Sequence, residues 1–295
     1  MHFYKMHGTG NDFVLLENLE NKPWNYPALA RSFCALHTGI GADGVLVLLP
    51  SEKADFQMKI FNADGSEAEM CGNGIRCFSR HLYEKGFVQK TKFKIETLAG
   101  IMEPECILSN GKVQHVRVNM GKPRYGDLHL KAGQPLTLDA EHLVFSLEFS
   151  ESRQNNEALA RMVEGASISM GNPHFVVFTD GNSPWNLEEH GKALSVHPKH
   201  PHQSNVEFVD ILNFNRIRVK VWERGVGPTQ ACGSGACASV VACRILKKMP
   251  EKLEVEMPGG VLHVEWDGQG AVFLSGPATY VFEGDVSEEF LKNLL

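Results

Sequence analysis

The sequence has no long apolar run. Its longest aliphatic stretch is Val45 to Leu49, against the roughly 20 apolar residues that a membrane-spanning helix needs. The opening residues, Met1-His2-Phe3-Tyr4-Lys5-Met6-His7, hold no apolar segment of signal-peptide length. There is no excess of positive charge either. The formal net charge of −6 lacks the basic footprint of a nucleic-acid-binding surface. No low-complexity segment appears. These absences lead us to expect a cytoplasmic protein with no nucleic-acid partner and no membrane. Cysteine is present but not in a pairing pattern: seven is an odd count, and a reducing compartment argues against a disulfide framework. The glycine-rich segments Gly8-Thr9-Gly10 and Gly39-Ile40-Gly41 read as tight turns, since neither has the spacing of a dinucleotide-binding loop.

What is present is a repeat. Asn62-Ala63-Asp64-Gly65-Ser66-Glu67-Ala68-Glu69-Met70-Cys71-Gly72-Asn73-Gly74 and Glu223-Arg224-Gly225-Val226-Gly227-Pro228-Thr229-Gln230-Ala231-Cys232-Gly233-Ser234-Gly235 both end in Cys-Gly-x-Gly. Each follows an apolar, strand-like run, Phe56–Phe61 or Ile217–Trp222. Cys71 and Cys232 lie 161 positions apart, and the same offset carries Gly10-Asn11 onto Gly171-Asn172, Gly44 onto Asn205 and Asn62 onto Glu223. Self-similarity at one long period predicts a duplicated fold of two homologous lobes. The length of 295 residues allows two domains, each with its own core. We expect an N-terminal lobe over 1–120, rejoined by 278–295, and a C-terminal lobe over 121–277, with Gly121-Lys122-Pro123-Arg124 as linker and the active site in the cleft between the lobes.

In chain order, strands are expected at Phe3–Met6, Phe13–Leu16, Val45–Leu49 and Phe56–Phe61, and helices at Pro27–Phe33 and Ile75–Tyr83. The stretch from Phe93 to Met120 reads as strand, turn and strand, with the hairpin at Ser109-Asn110-Gly111-Lys112. The second half repeats the plan: strands at Phe175–Phe178 and Asn205–Val209, a helix over Leu187–Leu194, and an apolar helix over Ala236–Leu246. Closing strands are expected at Leu253–Glu256, Val261–Trp266 and Ala271–Ser275, before Pro277–Leu295 returns to the first lobe.

Cys-Gly-x-Gly between a strand and a helix places a thiol at the first turn of the helix. There the backbone N–H groups have no internal acceptor and the dipole is positive. Such an end holds a carboxylate and favours a thiolate in a cysteine beside it. Two such ends suit one reaction class, proton transfer at a carbon next to a carboxylate. One thiolate removes the α-proton and the other thiol protonates the opposite face, with no metal or organic cofactor required. A buried cysteine is more often a small apolar residue than a catalyst. That is how we read Cys34, Cys77, Cys106, Cys237 and Cys243; for Cys71 and Cys232 it leaves the paired glycines and the shared offset unexplained. Asn11, Asn172, Asn62 and Glu223 stand on the repeat axis as candidate substrate contacts. Arg224 is a candidate fork for a carboxylate, and His174 a candidate site residue beside Asn172-Pro173. His197, His200 and His202, in a proline-rich loop, are read as facing solvent.

At these residues the sequence resembles the diaminopimelate epimerase family. The matching segments are Met6–Phe13, Asn62–Glu67, Cys71–Cys77, Gly171–His174, Glu223–Gly225 and Ala231–Cys237. The resemblance implies an α+β fold of two pseudo-symmetric lobes, each a mostly antiparallel, barrel-like sheet around a central helix. It implies a cofactor-independent isomerase that interconverts LL- and meso-diaminopimelate in bacterial lysine and peptidoglycan precursor biosynthesis. Cys71 and Cys232 would be the acid/base thiols, and the amides at Gly72-Asn73 and Gly233-Ser234 would hold the reacting carboxylate. Asn11, Asn62, Asn172, Asn205, Glu223 and Arg224 would grip the rest of the substrate, and His174 and Glu223 would tune the thiols. A homodimer is expected, with no metal. Gly44 and Pro228 depart from the family, some members carrying glutamine at the first position and many carrying glutamate at the second. Two alternatives stand beside this reading: a racemase of the same fold acting on histidine or proline, and a non-catalytic thiol protein that binds zinc or senses oxidation. The cysteine spacing does not match the short gaps of common zinc sites.

Overall fold

The structure, a computed structural model, describes residues 1–125, 144–152, 158–179 and 185–292. The chain divides into two compact units. The first is Met1–Asn119 with Ser275–Leu295, and the second is Met120–Leu274.

The first unit is built on strands β1 (His2–Gly8), β2 (Asn11–Glu17), β3 (Gly44–Leu49), β4 (Phe56–Asn62), β5 (Glu67–Ala68), β6 (Ile95–Thr97) and β7 (Gly100–Met102). The C-terminal strand Thr279–Asp285 pairs with β1, so the sheet runs from it through β1, β2, β3, β4 and β6 to β7. Most pairs are antiparallel, while β2/β3 and β4/β6 are parallel. Helix α1 (Tyr26–Phe33) starts where the Asn25 side chain accepts the Ala28 N–H, with Pro27 in its first turn. Helix α2 (Gly72–Glu84) follows the first cysteine. All six residues of β3 are buried because both faces of the strand are covered. Val45, Val47 and Leu49 pack with Leu29, Ala30 and Phe33 of α1, and Leu46 lies against the start of α2 at Gly74. The Phe93–Met120 stretch holds two hairpins where one was expected. The β6/β7 pair has three residues per strand, too few for an alternating pattern to register. The other, β8 (Glu105–Ser109) with β9 (Lys112–Asn119), turns through Asn110-Gly111 as that dipeptide predicts.

The second unit contains β10 (Arg124–Tyr125), β11 (Val144–Ser152), β12 (Ala158–Ser169), β13 (Pro173–Thr179), β14 (Asn205–Asn213), β15 (Arg216–Glu223), β16 (Gly227–Pro228), β17 (Lys252–Met257), β18 (Gly260–Glu265) and the start of β19 (Phe273–Gly276), whose residues from Ser275 on belong to the first unit. Its sheet runs β10, β12, β13, β14, β15, β17, β18, β19, with β11 on β12 and β16 on β15. The linker expected at 121–124 is tied down here: the Gly121 carbonyl accepts the Val272 N–H, and Arg124 pairs with Ser169. The helix expected over Leu187–Leu194 is a π-helical turn, Leu187–Gly191, running into a short α3 (Lys192–Ser195). Helix α4 (Gly233–Lys247) is buried continuously from Gly235 to Cys243 and packs on β12, β13, β14, β15 and β18. A helix buried on all sides must be apolar all round, and Ala236-Cys237-Ala238-Ser239-Val240-Val241-Ala242-Cys243 is nearly so.

The offset seen in the sequence is kept in the strand register. Phe13 pairs with Gly44 across parallel β2/β3, and His174 pairs with Asn205 across parallel β13/β14, each residue moved by 161. Leu46–Ile60 is repeated as Glu207–Val221. The offset slips by one residue outside this segment: Met6 pairs with Phe13, but His174 pairs with Ile168. The gapless repeat therefore covers the elements that lead to each cysteine. The fold is the α+β duplication expected.

Candidate active site

In the first unit, Cys71 is the N-cap of α2. Its backbone is extended (φ −137°, ψ 118°), and its Sγ accepts the Gly74 N–H at 3.4 Å. Asn11, at the start of β2, places Oδ1 3.7 Å from the Cys71 Sγ and 3.3 Å from the Asn73 Nδ2. The other end of the same amide is held: Asn11 Nδ2 donates to Asp43 Oδ2 at 2.7 Å. That carboxylate oxygen also accepts the Asp12 N–H at 3.0 Å, while the Asp43 N–H donates to Asp12 Oδ1 at 3.1 Å. Burial pushes the Asp43 carboxyl above its ordinary value. Buried Lys5 pairs with Asp12. Asn62 is exposed and donates to Ser66 Oγ at 3.0 Å across a turn.

In the second unit, Cys232 repeats the arrangement. It caps α4 with φ −120° and ψ 111°, and its Sγ accepts the Gly235 N–H at 3.4 Å. The Ser234 Oγ lies 3.5 Å from the sulfur. Asn172 Nδ2 donates to Ser234 Oγ at 3.3 Å, and Asn172 Oδ1 meets His174 Nε2 at 3.0 Å. His174 Nδ1 is 2.7 Å from Glu207 Oε1, with both side chains fully buried. Glu223 accepts the Thr229 hydroxyl at 2.6 Å and is hydrogen-bonded to the Cys232 thiol. Asn205 Oδ1 accepts the Arg224 N–H at 2.9 Å, which fixes the chain just after Glu223. The exposed Arg224 guanidinium donates to the His202 carbonyl rather than to a carboxylate.

A helix end was expected to favour a thiolate at both cysteines. At Cys232 the balance goes the other way. Burial raises its pKa well above the ordinary thiol value, and the carboxylates of Glu223 and Glu207 push it further; the Ser234 and Gly235 donors only partly offset them. Cys232 therefore rests as a thiol. Burial also raises the Glu223 carboxyl. The remaining cysteines are core residues as read: Cys34, Cys77, Cys106, Cys237 and Cys243 are all buried, and burial lifts Cys77, Cys106 and Cys243 to about 12. His200 departs from its reading. It is buried, with Nδ1 2.8 Å from the Leu194 carbonyl, because the loop folds back over Phe175.

Two residues of these groups were missed in the sequence, Glu207 and Asp43. Glu207 had a signal, a lone carboxylate in the apolar run Asn205-Val206-Glu207-Phe208-Val209. Gly235 is the residue that makes room for it, since a Cβ there would stand 2.7 Å from Glu207 Oε1. Asp43 was hidden in a glycine-rich loop read as a turn. Among the described residues no group of three or more His, Cys, Asp and Glu is placed to hold a metal ion, and no helix is long and apolar enough to cross a membrane.

Solved structures with this fold include a phenazine biosynthesis protein of the PhzF family from Bacillus anthracis (TM-score 0.67, 17% identity, 97% of this chain and 99% of that one). A probable proline racemase from Agrobacterium radiobacter is similar as well (TM-score 0.62, 17% identity, 97% and 93%). At that identity they define the fold class alone. The diaminopimelate epimerase family model matches residues 3–126 and 166–281. Proteins named diaminopimelate epimerase from Desulfitobacterium hafniense and Desulforudis audaxviator are 42% and 45% identical, covering 99% and 96% of this chain and 100% and 98% of their own lengths. The chain belongs to the diaminopimelate epimerase family and is an isomerase.

Proposed function

We propose that the protein interconverts LL- and meso-diaminopimelate by moving the α-proton between two cysteines, without a cofactor. The observation that carries this reading is the repeated cap. Cys71 and Cys232 have the same backbone conformation, the same position before a buried helix and the same sulfur–amide contact of 3.4 Å. The amides at the helix starts, Gly72-Asn73 and Gly233-Ser234, stabilise the charge that builds on the α-carboxylate.

The two thiols act on opposite faces of one α-carbon, so the stereocentre inverts. Glu223 is placed to exchange a proton with the Cys232 thiol. Its own raised pKa narrows the gap between the two groups, which makes transfer from sulfur to carboxylate less uphill. The thiolate so formed keeps two donors, the Ser234 hydroxyl and the Gly235 amide. On the other side Asn11 Oδ1 accepts from the Cys71 thiol and holds its proton in place. Asn62, Asn172, Asn205 and Arg224 hold the rest of the substrate, and His174 tunes Cys232 from behind Asn172. The reading includes a homodimer working in the cytoplasm, whose reducing poise keeps both thiols free.

The test is deuterium uptake from heavy water into LL-diaminopimelate, with wild type beside Cys71→Ala and Cys232→Ala. Wild type should take up one α-deuterium and form the meso isomer, and each variant should lose epimerisation. No uptake with this substrate, followed by uptake with histidine or proline, would move the assignment to another amino acid.

A further inference from the structure

Buried carboxylates are retained where they have a partner and a purpose, because desolvating one costs several kcal/mol. Glu207 has no exposed surface, lies inside the second unit, and has one oxygen, Oε2, with no hydrogen-bond partner. Its other oxygen begins a continuous series of contacts. Glu207 Oε1 meets His174 Nδ1 (2.7 Å), His174 Nε2 meets Asn172 Oδ1 (3.0 Å), Asn172 Nδ2 donates to Ser234 Oγ (3.3 Å), and Ser234 Oγ lies 3.5 Å from Cys232 Sγ.

Each link constrains the next. Both nitrogens of His174 face oxygen acceptors, a carboxylate and an amide carbonyl. The Glu207 carboxylate fixes the ring from one side, and on the other Nε2 meets Asn172 Oδ1, which locks the Asn172 amide with its NH₂ toward Ser234. The Ser234 oxygen then accepts from Asn172, and its own hydrogen is left to point at sulfur. The direction of the whole series is set at its buried end.

We propose that Glu207 is a positioning residue for Cys232. It holds the His174 ring in place, and through Asn172 it commits the Ser234 hydroxyl to donate to the Cys232 sulfur. Other groups facing this chain are Glu223, which bonds to the same thiol, and the Gly235 amide at the helix start. Glu223 acts on His174 through its charge, whereas the carboxylate hydrogen-bonded to the ring is Glu207. The consequence for catalysis rests on Cys232 being an acid/base thiol, while the structural claim stands without it.

The experiment reads His174 and Cys232 directly. In protein labelled with ¹⁵N-histidine, the His174 ring signals should differ between wild type and Glu207→Gln, which keeps size and shape but loses the charged partner. With the ring no longer held, Asn172 turns over and Ser234 donates to Asn172 instead of to sulfur. Unchanged His174 signals in the variant overturn the proposal. The rate of Cys232 alkylation by iodoacetamide at fixed pH should fall about tenfold or more, the scale of losing a charge-assisted hydrogen bond, against the rise that loss of the Glu207 charge would give by itself; a rise would mean that Glu207 acts on the thiol through charge alone, and the proposal would fail. A Glu207→Gln protein that melts earlier but keeps wild-type His174 signals and Cys232 alkylation would mean that Glu207 only packs, and the proposal would fail. Neither readout uses diaminopimelate. If both come out as expected while no substrate exchanges, the positioning role survives and the assigned reaction does not.

Discussion

Asn11 and Asn172 lie 161 positions apart on the repeat and turn opposite ends of their amides toward their cysteine groups. Asn11 gives its NH₂ to Asp43 and its carbonyl to Cys71, whereas Asn172 gives its carbonyl to His174 and its NH₂ to Ser234. The difference is chemical. An acceptor at Cys71 favours a thiol that keeps its proton, and a donor chain ending at Cys232 stabilises a thiolate once one forms. A duplicated fold thus carries two unlike ends, as an enzyme needs when one group gives a proton while the other takes one.

Asp43 should therefore matter without touching substrate. In Asp43→Ala the Asn11 amide loses its charged acceptor and is free to rotate, so its carbonyl no longer fixes the Cys71 thiol. A hydrogen bond to a charged group is worth about 1.5–3 kcal/mol, which corresponds to a fall in kcat of roughly 10- to 100-fold. Steady-state epimerisation would show it, with KM changing less than kcat. A wild-type kcat in a folded variant would show that Asn11 needs no such anchor.

Glu223 makes a prediction about pH. Its carboxyl is raised above the ordinary 4.5, chiefly by burial. A group with a raised folded-state pKa binds its proton more tightly in the native protein. Its contribution favours the fold below the ordinary value and is lost as pH rises through the raised one. Glu223→Gln stays neutral throughout, so the melting temperature of the variant relative to wild type should climb between pH 4.5 and pH 7.5. Thermal unfolding at the two pH values measures it. A gap that does not change with pH would mean that Glu223 titrates normally.

The same variant should move Cys232. Glu223 is the largest electrostatic contribution raising that thiol after burial itself. Removing its charge brings the thiol down, so iodoacetamide should label Cys232 at lower pH in Glu223→Gln than in wild type. Cys77, Cys106 and Cys243, held near 12 by burial, should stay unlabelled in both until the protein unfolds. Peptide mapping after brief alkylation separates these cases, and early labelling of Cys77 would contradict the burial of α2.

Much of this organisation was legible in the residues because duplication writes a signal twice. Two Cys-Gly-x-Gly ends at one offset marked the helix starts, and apolar periodicity marked β3, β4 and α4. What stayed hidden was hidden for physical reasons. The β6/β7 hairpin has strands too short to show a period. The Leu187–Gly191 turn is π-helical, which no spacing rule predicts. Glu207 and Asp43 act through neighbours distant in sequence, and a single carboxylate in an apolar run or a glycine loop does not announce its partner. The thiol state of Cys232 depended on two carboxylates, one of them Glu207, brought beside it by β14. Local sequence shows only the helix end.

Gly44 leaves no room for a side chain. It lies on buried β3 opposite Asn62, and a Cβ added there would stand 2.8 Å from the Phe61 carbonyl oxygen. Backbone, not a flexible side chain, occupies that space, so the strands must separate to admit any larger residue. Gly44→Gln should then destabilise the protein by about 1–3 kcal/mol, the usual cost of overpacking. Gly44→Ala should already show part of that loss, because the first added carbon meets the obstacle. Chemical denaturation of the two variants measures both. If Gly44→Ala were as stable as wild type, β3 and β4 would have slack at this point, and the glycine would be there for reasons other than close packing.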